Sequence, residues 1–376
     1  MAIRLKCAKE NFPVTIAATF QIEFRQFLDA AGRVVGALPD CARDSTALVR
    51  FYEAMVLMRT YDAKAVALQR TGLLGTYASL LGKEAVDAGI GLAMRKEDVF
   101  LGTYRDNGVQ MLRGVSLREL LLYWGGDERG SDFAIARQDF PVSITIASQC
   151  LHAAGVAYAM QLRQQPRVAL CTIGDGATSK GDFYESLNAA GTWRLPLVFF
   201  ITNNQWAISV PRHTQSAAQT LAQKGIAAGV PGVQVDGNDV IAVHHTVVEA
   251  LERARRGGGP TVIEAVTYRL ADHTTADDAS RYRAPEEVAA AWQREPILRL
   301  RHYLSNAGIW QKSDEDQLLQ RCNAEVQAAA QAYLDTAAPP AAQMFDQLYA
   351  TLPPAYAAQT AALLQRAEDH GTDHAG

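Results

Sequence analysis

Apolar residues along this chain recur in two patterns, a three-to-four spacing and short unbroken runs, which predict helices and buried strands respectively. From about Asp44 to Arg70, the residues Leu48, Phe51, Met55, Met58 and Val66 recur at helical intervals. Asp44 and Ser45 are its N-cap candidates and Gly72 its stop. Further helices are expected over Lys83–Met94, Leu117–Trp124 and Leu151–Arg163, the last Ala-rich and buried, with a short strand at Val99–Leu101. Gly125 to Gln138 is a polar loop, and the first 40 residues hold short strand-like or irregular segments, such as Phe20 to Phe24, and a turn near Gly32.

Two runs, Arg167–Ile173 and Leu197–Thr202, are short, β-rich and apolar throughout, as in strands buried on both faces. The segment Asp182–Trp193 between them reads as a helix, so the three form a right-handed parallel βαβ unit. Thr261–Val266 is a third such strand, preceded by a helix over Ile241–Arg256. From Pro285 on the chain is helical, broken at Pro339-Pro340 and Pro353-Pro354, with the last dozen residues frayed. The expected organisation is an N-terminal extension (1–45), an α/β domain with a mostly parallel sheet and helices on both faces (46–285), and a helical region (286–376) packed on that domain.

Composition narrows the function classes. The chain has 376 residues, 48% apolar and 20% charged, as in an ordinary soluble globular protein. A net charge of −4 without a dense Lys/Arg stripe excludes a nucleic-acid footprint. No apolar run approaches the roughly 20 residues needed to span a bilayer. The N-terminus, with Arg4, Lys6, Lys9 and Glu10, lacks a signal-peptide core, so the cytoplasm is the expected compartment. Cys7, Cys41, Cys150, Cys171 and Cys322 are odd in number and lack CxxC spacing, and so read as core or stray thiols.

The chemistry is concentrated between Gly174-Asp175-Gly176 and Asn203-Asn204. Each lies where a parallel strand ends, the edge at which open α/β sheets bind ligands. Gly174 and Gly176 permit a tight turn and close approach of phosphate oxygens to the backbone. Asp175 offers a hard carboxylate and Asn204, 29 positions later, a neutral oxygen. Together with a main-chain carbonyl and two diphosphate oxygens they nearly fill the shell that Mg²⁺ requires. Either half by itself is an ordinary turn. Both at strand ends joined by one helix form a metal–diphosphate clamp. A Walker A loop does not fit, because Asp182 stands where its Lys would be.

Gly174-Asp175-Gly176 through Asn204 is similar to the thiamine diphosphate fingerprint, and the wider chain resembles the E1 α subunits of 2-oxo acid dehydrogenase complexes. The resemblance extends roughly from Phe20 to Tyr349 and includes Thr103-Tyr104-Arg105, GDGATSKGDFYE, NNQWAIS, VDGND at Val235–Asp239, and TYRLADHTTADD ending in Arg281-Tyr282-Arg283. It implies a thiamine diphosphate-binding fold, with Asp175, Asn204 and the carbonyl of Trp206 on Mg²⁺. It further implies Arg105 and Arg269 on diphosphate oxygens, Tyr104 beside the cofactor, Ile146 as the wedge that keeps the cofactor bent, and the Ile144 backbone at its aminopyrimidine. The amides of Gly176 and Ala177 would cradle a phosphate, and His273 would stand at the mouth, where the acyl group passes to a lipoyl arm. Asp182 and Glu185 would join an acidic network linking two active sites.

Each role has a plainer alternative. Arg105 and Arg269 read equally as surface ion-pair residues, His273 as a solvated loop histidine, and Ile144 and Ile146 as alternating core positions of a strand. Asp182 and Glu185 fit a helix capping box.

The cofactor's pyrimidine end needs a carboxylic acid that none of these motifs supplies. In the resembled family it comes from a β subunit, which implies an α2β2 heterotetramer docked on a lipoylated E2 acyltransferase in a multienzyme complex. The segments Gly181–Glu185 and Gly229–Asp236 resemble the bacterial pyruvate form more than the branched-chain form, while acetoin-cleaving relatives share much of the pattern. A transketolase-like enzyme and a non-catalytic cofactor-binding subunit are the other readings. The loop GGDERGSDF after Trp124 carries no histidine, unlike many pyruvate-type relatives, and Thr274 replaces the serine whose phosphorylation controls eukaryotic ones.

Overall fold

A computed structural model describes residues 15–340, 342–346 and 348–371. The basic N-terminal stretch and Cys7 thus lie outside the described residues. Among the described residues the strands are β1 (Glu23–Arg25), β2 (Val99–Leu101), β3 (Ala169–Gly174), β4 (Leu197–Asn203), the pair β5 (Trp206–Ala207) and β6 (Val210–Pro211), β7 (Gly232–Asp236) and β8 (Thr261–Val266). The helices are α1 (Ser45–Arg70), α2 (Glu84–Ala93), α3 (Asn107–Arg113), α4 (Leu117–Trp124), α5 (Ser148–Leu162), α6 (Gly181–Trp193), α7 (Arg212–Gln215), α8 (Val240–Arg255), α9 (Pro285–Trp292), α10 (Pro296–Asn306), α11 (Lys312–Leu334), α12 (Gln343–Asp346) and α13 (Ala357–Gly371).

The main sheet runs β1-β7-β8-β4-β3-β2, with every pairing parallel. In β3 and β4 successive side chains enter opposite layers. Cys171, Ile173, Phe199 and Ile201 pack with α5 and α6 on one face, and Leu170, Val198 and Phe200 pack with α2 and α8 on the other. Burying an aromatic of this size stabilises by about 1.5–3 kcal/mol, and Phe199 and Phe200 are both fully buried. Two-sided burial explains why these strands read as unbroken apolar runs. The expected helices on both faces are therefore present.

The N-terminal segment is tied to the sheet. β1 pairs with β7, and Asp239, which caps α8, also accepts hydrogen bonds from the amides of Phe27 and Leu28, both at 2.7 Å. On the C-terminal side, Leu300 and Leu304 of α10, Trp310 of the following loop and Leu318 of α11 close a core with Leu48, Tyr52 and Met55 of α1. Asp44 caps α1 by accepting from the Thr46 amide at 2.9 Å.

Several expectations are corrected. α5 starts at Ser148, three residues before Leu151, and its face is mixed, with Leu151, Tyr158 and Leu162 exposed. No strand contains Ile144 and Ile146, and both are exposed, so strand alternation into a core does not account for them. The Asp182–Glu185 capping box is not formed, because Lys180 is the N-cap of α6 and contributes no side-chain bond. Capping boxes do form at Ser116–Glu119 on α4 and Gln311–Asp314 on α11. β7, α3 and the β5–β6 hairpin were not expected. Among the described residues no helix is long and apolar enough to cross a membrane.

Candidate active site

The C-terminal ends of β3 and β4 open into a cavity of about 610 Å³. Gly174, Asp175, Gly176 and Ala177 form its β3 side, and Asn204, Trp206 and Ile208 its β4 side. Tyr104, Arg105, Ile146 and His273 close over it from three separate loops. Residues far apart in the chain thus converge on one space, as expected from the strand-end position of both motifs.

Asp175 is 2% exposed, and its Oδ2 has no hydrogen-bond partner among the described residues. Burial pushes its carboxyl up to about 6, which the lowering by its own backbone amide and by Arg269 only partly offsets. Three more lining residues carry buried oxygens without partners among the described residues: Thr202 Oγ1, Gln149 Oε1 and Gln215 Oε1. Buried polar atoms are normally paired, so four orphaned oxygens around one space point to a missing electropositive ligand. The donor set is all oxygen, which suits a hard cation.

The glycines differ in what constrains them. A Cβ on Gly176 would lie 2.7 Å from the Ala207 Cβ, so the protein itself forbids a side chain there. A Cβ on Gly174 would meet nothing within 4 Å, leaving that space to a ligand. The wall is also strained. Ala147 and Ile208, both lining residues, and Gln205 next to Asn204 adopt φ of 69°, 57° and 74°. Such conformations cost of order 1–3 kcal/mol each and cluster at functional sites. For β-branched Ile208 this backbone is an outlier.

His273 lies between the two arginines. Its Nδ1 is 3.3 Å from Arg105 Nη2 and 3.3 Å from Arg269 Nη1, and its carbonyl accepts from Arg105 Nη2 at 2.8 Å. Burial, and then the two guanidiniums, push the imidazole down to about 4. Asp277 holds the His273 amide at 2.9 Å, and it also accepts from Tyr282. Arg105 therefore belongs to the cavity wall and is no surface ion-pair residue. Arg269 is buried behind the wall, donating to the Ile208 carbonyl and the Tyr282 hydroxyl, both at 2.8 Å, with its Nε unpartnered among the described residues.

Asp182 and Glu185 stand on the first turns of α6 and do not line the cavity; Glu185 is exposed. Ile144 is likewise absent from the lining. Sequence reasoning missed Lys83, Gln149, Thr202 and Gln215, which do line it. Thr202 was within reach of inference, since it is the penultimate residue of β4, beside Asn203-Asn204. The other three carry no local signal.

A parallel α/β sheet with a cleft at its strand ends defines the class, and comparison with known proteins supplies the family. The chain belongs to the dehydrogenase E1 component family, whose model matches residues 52–341. It is similar to the pyruvate dehydrogenase E1 component subunit alpha of Staphylococcus aureus strain Mu50, at 38% identity over 94% of this chain and 96% of that protein. The subunit of the same name from Staphylococcus epidermidis strain RP62A matches with the same identity and coverage.

Proposed function

We propose that this chain is the α subunit of a thiamine diphosphate-dependent pyruvate dehydrogenase E1, which decarboxylates pyruvate and reductively acetylates the lipoyl group of an E2 partner. The observation that carries this reading is the buried, unpartnered carboxylate oxygen of Asp175 beside Asn204, at adjacent strand ends of a chain with these relatives. Asp175, Asn204 and the Trp206 carbonyl would hold Mg²⁺. The amides of Gly176 and Ala177, with Arg105, would take the diphosphate. When bound there, thiamine diphosphate supplies the carbon nucleophile that a 2-oxo acid needs for decarboxylation.

Asp175 is the one carboxylate among the described lining residues, and it belongs to the diphosphate end. No acid is left for the pyrimidine, which supports a β subunit completing each site in an α2β2 assembly. The apolar rim supports it too, since Ile146, Ile208 and Val210 line the cavity and are exposed. Asp182 and Glu185 would act across that assembly, between sites.

With a β partner, Mg²⁺ and thiamine diphosphate, CO2 release with a dye acceptor should be faster from pyruvate than from 3-methyl-2-oxobutanoate, and acetoin should be cleaved more slowly still. Faster turnover of the branched acid would overturn the pyruvate assignment. The two glycines should also separate. Gly174→Ala should leave the cofactor-free assembly as stable as wild type but weaken cofactor uptake, whereas Gly176→Ala should lower thermal stability before any cofactor is added. Calorimetric titration and scanning fluorimetry read the two effects.

A further inference from the structure

Lys83 stands where helix physics would not place it. It is the N-cap residue of α2, yet its side chain makes no capping bond, and its cation sits at the positive end of the helix dipole. It is 4% exposed, and burying a charge is costly. Its ammonium lies on the cavity wall but is turned onto two carboxylates. It donates to Asp106 Oδ1 at 2.6 Å and to Asp87 one turn along α2. Burial disfavours this charge, but Asp106 and Asp87 more than offset that.

Asp106 explains the arrangement. Its second oxygen, Oδ2, accepts from the Thr103 amide at 2.5 Å, the Thr103 hydroxyl at 2.8 Å and the Thr172 hydroxyl at 2.5 Å. Thr103 opens the turn that carries Tyr104 and Arg105. Thr172 lies on β3, two residues before Gly174. One carboxylate, itself 1% exposed, therefore pins together the two segments that face the diphosphate. Buried ion clusters contribute little net stability, so a purely structural role is a poor reason for this cluster, in which burial pushes the Asp87 carboxyl up to about 7.

We propose that Lys83 is a positioning residue for the diphosphate site, holding Asp106 and through it the Thr103–Arg105 turn at a fixed spacing from β3. This rests on the reading of the cavity as a thiamine diphosphate site. Lys83 acts through Asp106, which it keeps ionised and oriented; Asp87 accepts from the lysine and, among the described residues, makes no hydrogen bond to either segment.

The test uses the α chain assembled with its β partner and titrated calorimetrically with thiamine diphosphate and Mg²⁺, with kcat measured at saturating cofactor. Lys83→Met should raise the cofactor Kd by about 10- to 100-fold, the usual cost of removing a group behind a ligand contact. Its kcat at saturation should stay within about threefold, because the lost interaction is a binding one. Asp87→Asn keeps the Lys83–Asp106 pair and should leave Kd unchanged. Lys83→Met combined with Asp87→Asn removes one charge of each sign, guarding against misfolding of the single variant, and should show the same loss of affinity. Unchanged affinity in both Lys83 variants overturns the proposal, as does an equal loss in Asp87→Asn, which would mark general damage to the cluster. Wild-type assembly that takes up no cofactor instead overturns the site reading, and this inference falls with it.

Discussion

Asp175→Asn is expected to make the cofactor-free protein more stable at neutral pH while abolishing its Mg²⁺-dependent uptake of thiamine diphosphate. Asp175 is almost fully buried, and its carboxyl is raised from 3.8 to about 6. The folded state therefore holds this proton more tightly than the unfolded state does. Below pH 3.8 both states are protonated and burial carries no charge penalty. As pH rises through the window from 3.8 to about 6, the unfolded chain ionises first and folding stability is lost. A shift of this size corresponds to roughly 2–3 kcal/mol at pH 7. An amide of the same shape escapes that penalty, so the melting temperature of the cofactor-free assembly should rise. The same substitution removes the one anionic protein ligand, so cofactor affinity should fall by more than the roughly 10- to 100-fold typical of partners behind a metal ligand. Asn204→Ala should lose cofactor affinity with no gain in stability, because no buried charge is relieved. Scanning fluorimetry with and without Mg²⁺ and cofactor checks both variants. A destabilised Asp175→Asn apoprotein would contradict the account.

His273→Ala is expected to slow acetyl transfer to a lipoyl acceptor far more than it slows decarboxylation read with a dye. Both neighbours of Nδ1 are guanidinium donors, so Nδ1 accepts and the ring proton belongs on Nε2. The imidazole is pushed down to about 4 by burial and the two arginines, and it is neutral at pH 7. Opening a lipoyl disulfide places the acyl group on one sulfur and requires a proton on the other. A neutral Nε2–H at the cavity mouth can donate a hydrogen bond to that sulfur as negative charge builds on it, while the proton itself is delivered from water. Removing one such donor costs about 10²–10³-fold, and the lipoyl-dependent rate should drop accordingly. The dye-coupled rate should stay within about threefold of wild type, because that route builds no charge on a sulfur. His273 gains its charge only as pH falls through about 4, so the wild-type transfer rate should show no inflection from it between pH 5 and 8. Equal losses in the two assays would remove His273 from the transfer step.

How much of this was legible depended on whether the signal was local. Val99–Leu101, Leu117–Trp124 and Thr261–Val266 carry their own run or cap, and their predicted bounds coincide with the observed elements. β7 was missed because it alternates buried and half-buried positions and opens on Gly232 directly after Val230-Pro231, a stretch that reads as a turn. α3 was missed because it is seven residues long and opens with Asn107-Gly108, poor helix formers held by burial against α2. Ser116 with Glu119 and Asp182 with Glu185 both fit the capping-box spacing. Of these two only Ser116–Glu119 forms, because α6 begins at Gly181 and places Asp182 inside its first turn.

By itself the sequence determined that Asp175 and Asn204 would meet, because consecutive parallel strands joined by one helix must end at the same sheet edge. The tertiary structure decided which side chains from other elements join them. It brought Lys83, Gln149 and Gln215 to the cavity, turned Arg269 onto the carbonyl of Ile208, and left Asp182 and Glu185 outside. Strand periodicity and turn chemistry are properties of neighbouring residues, whereas these placements depend on how separate helices and loops pack against one another, and no short stretch of chain encodes that.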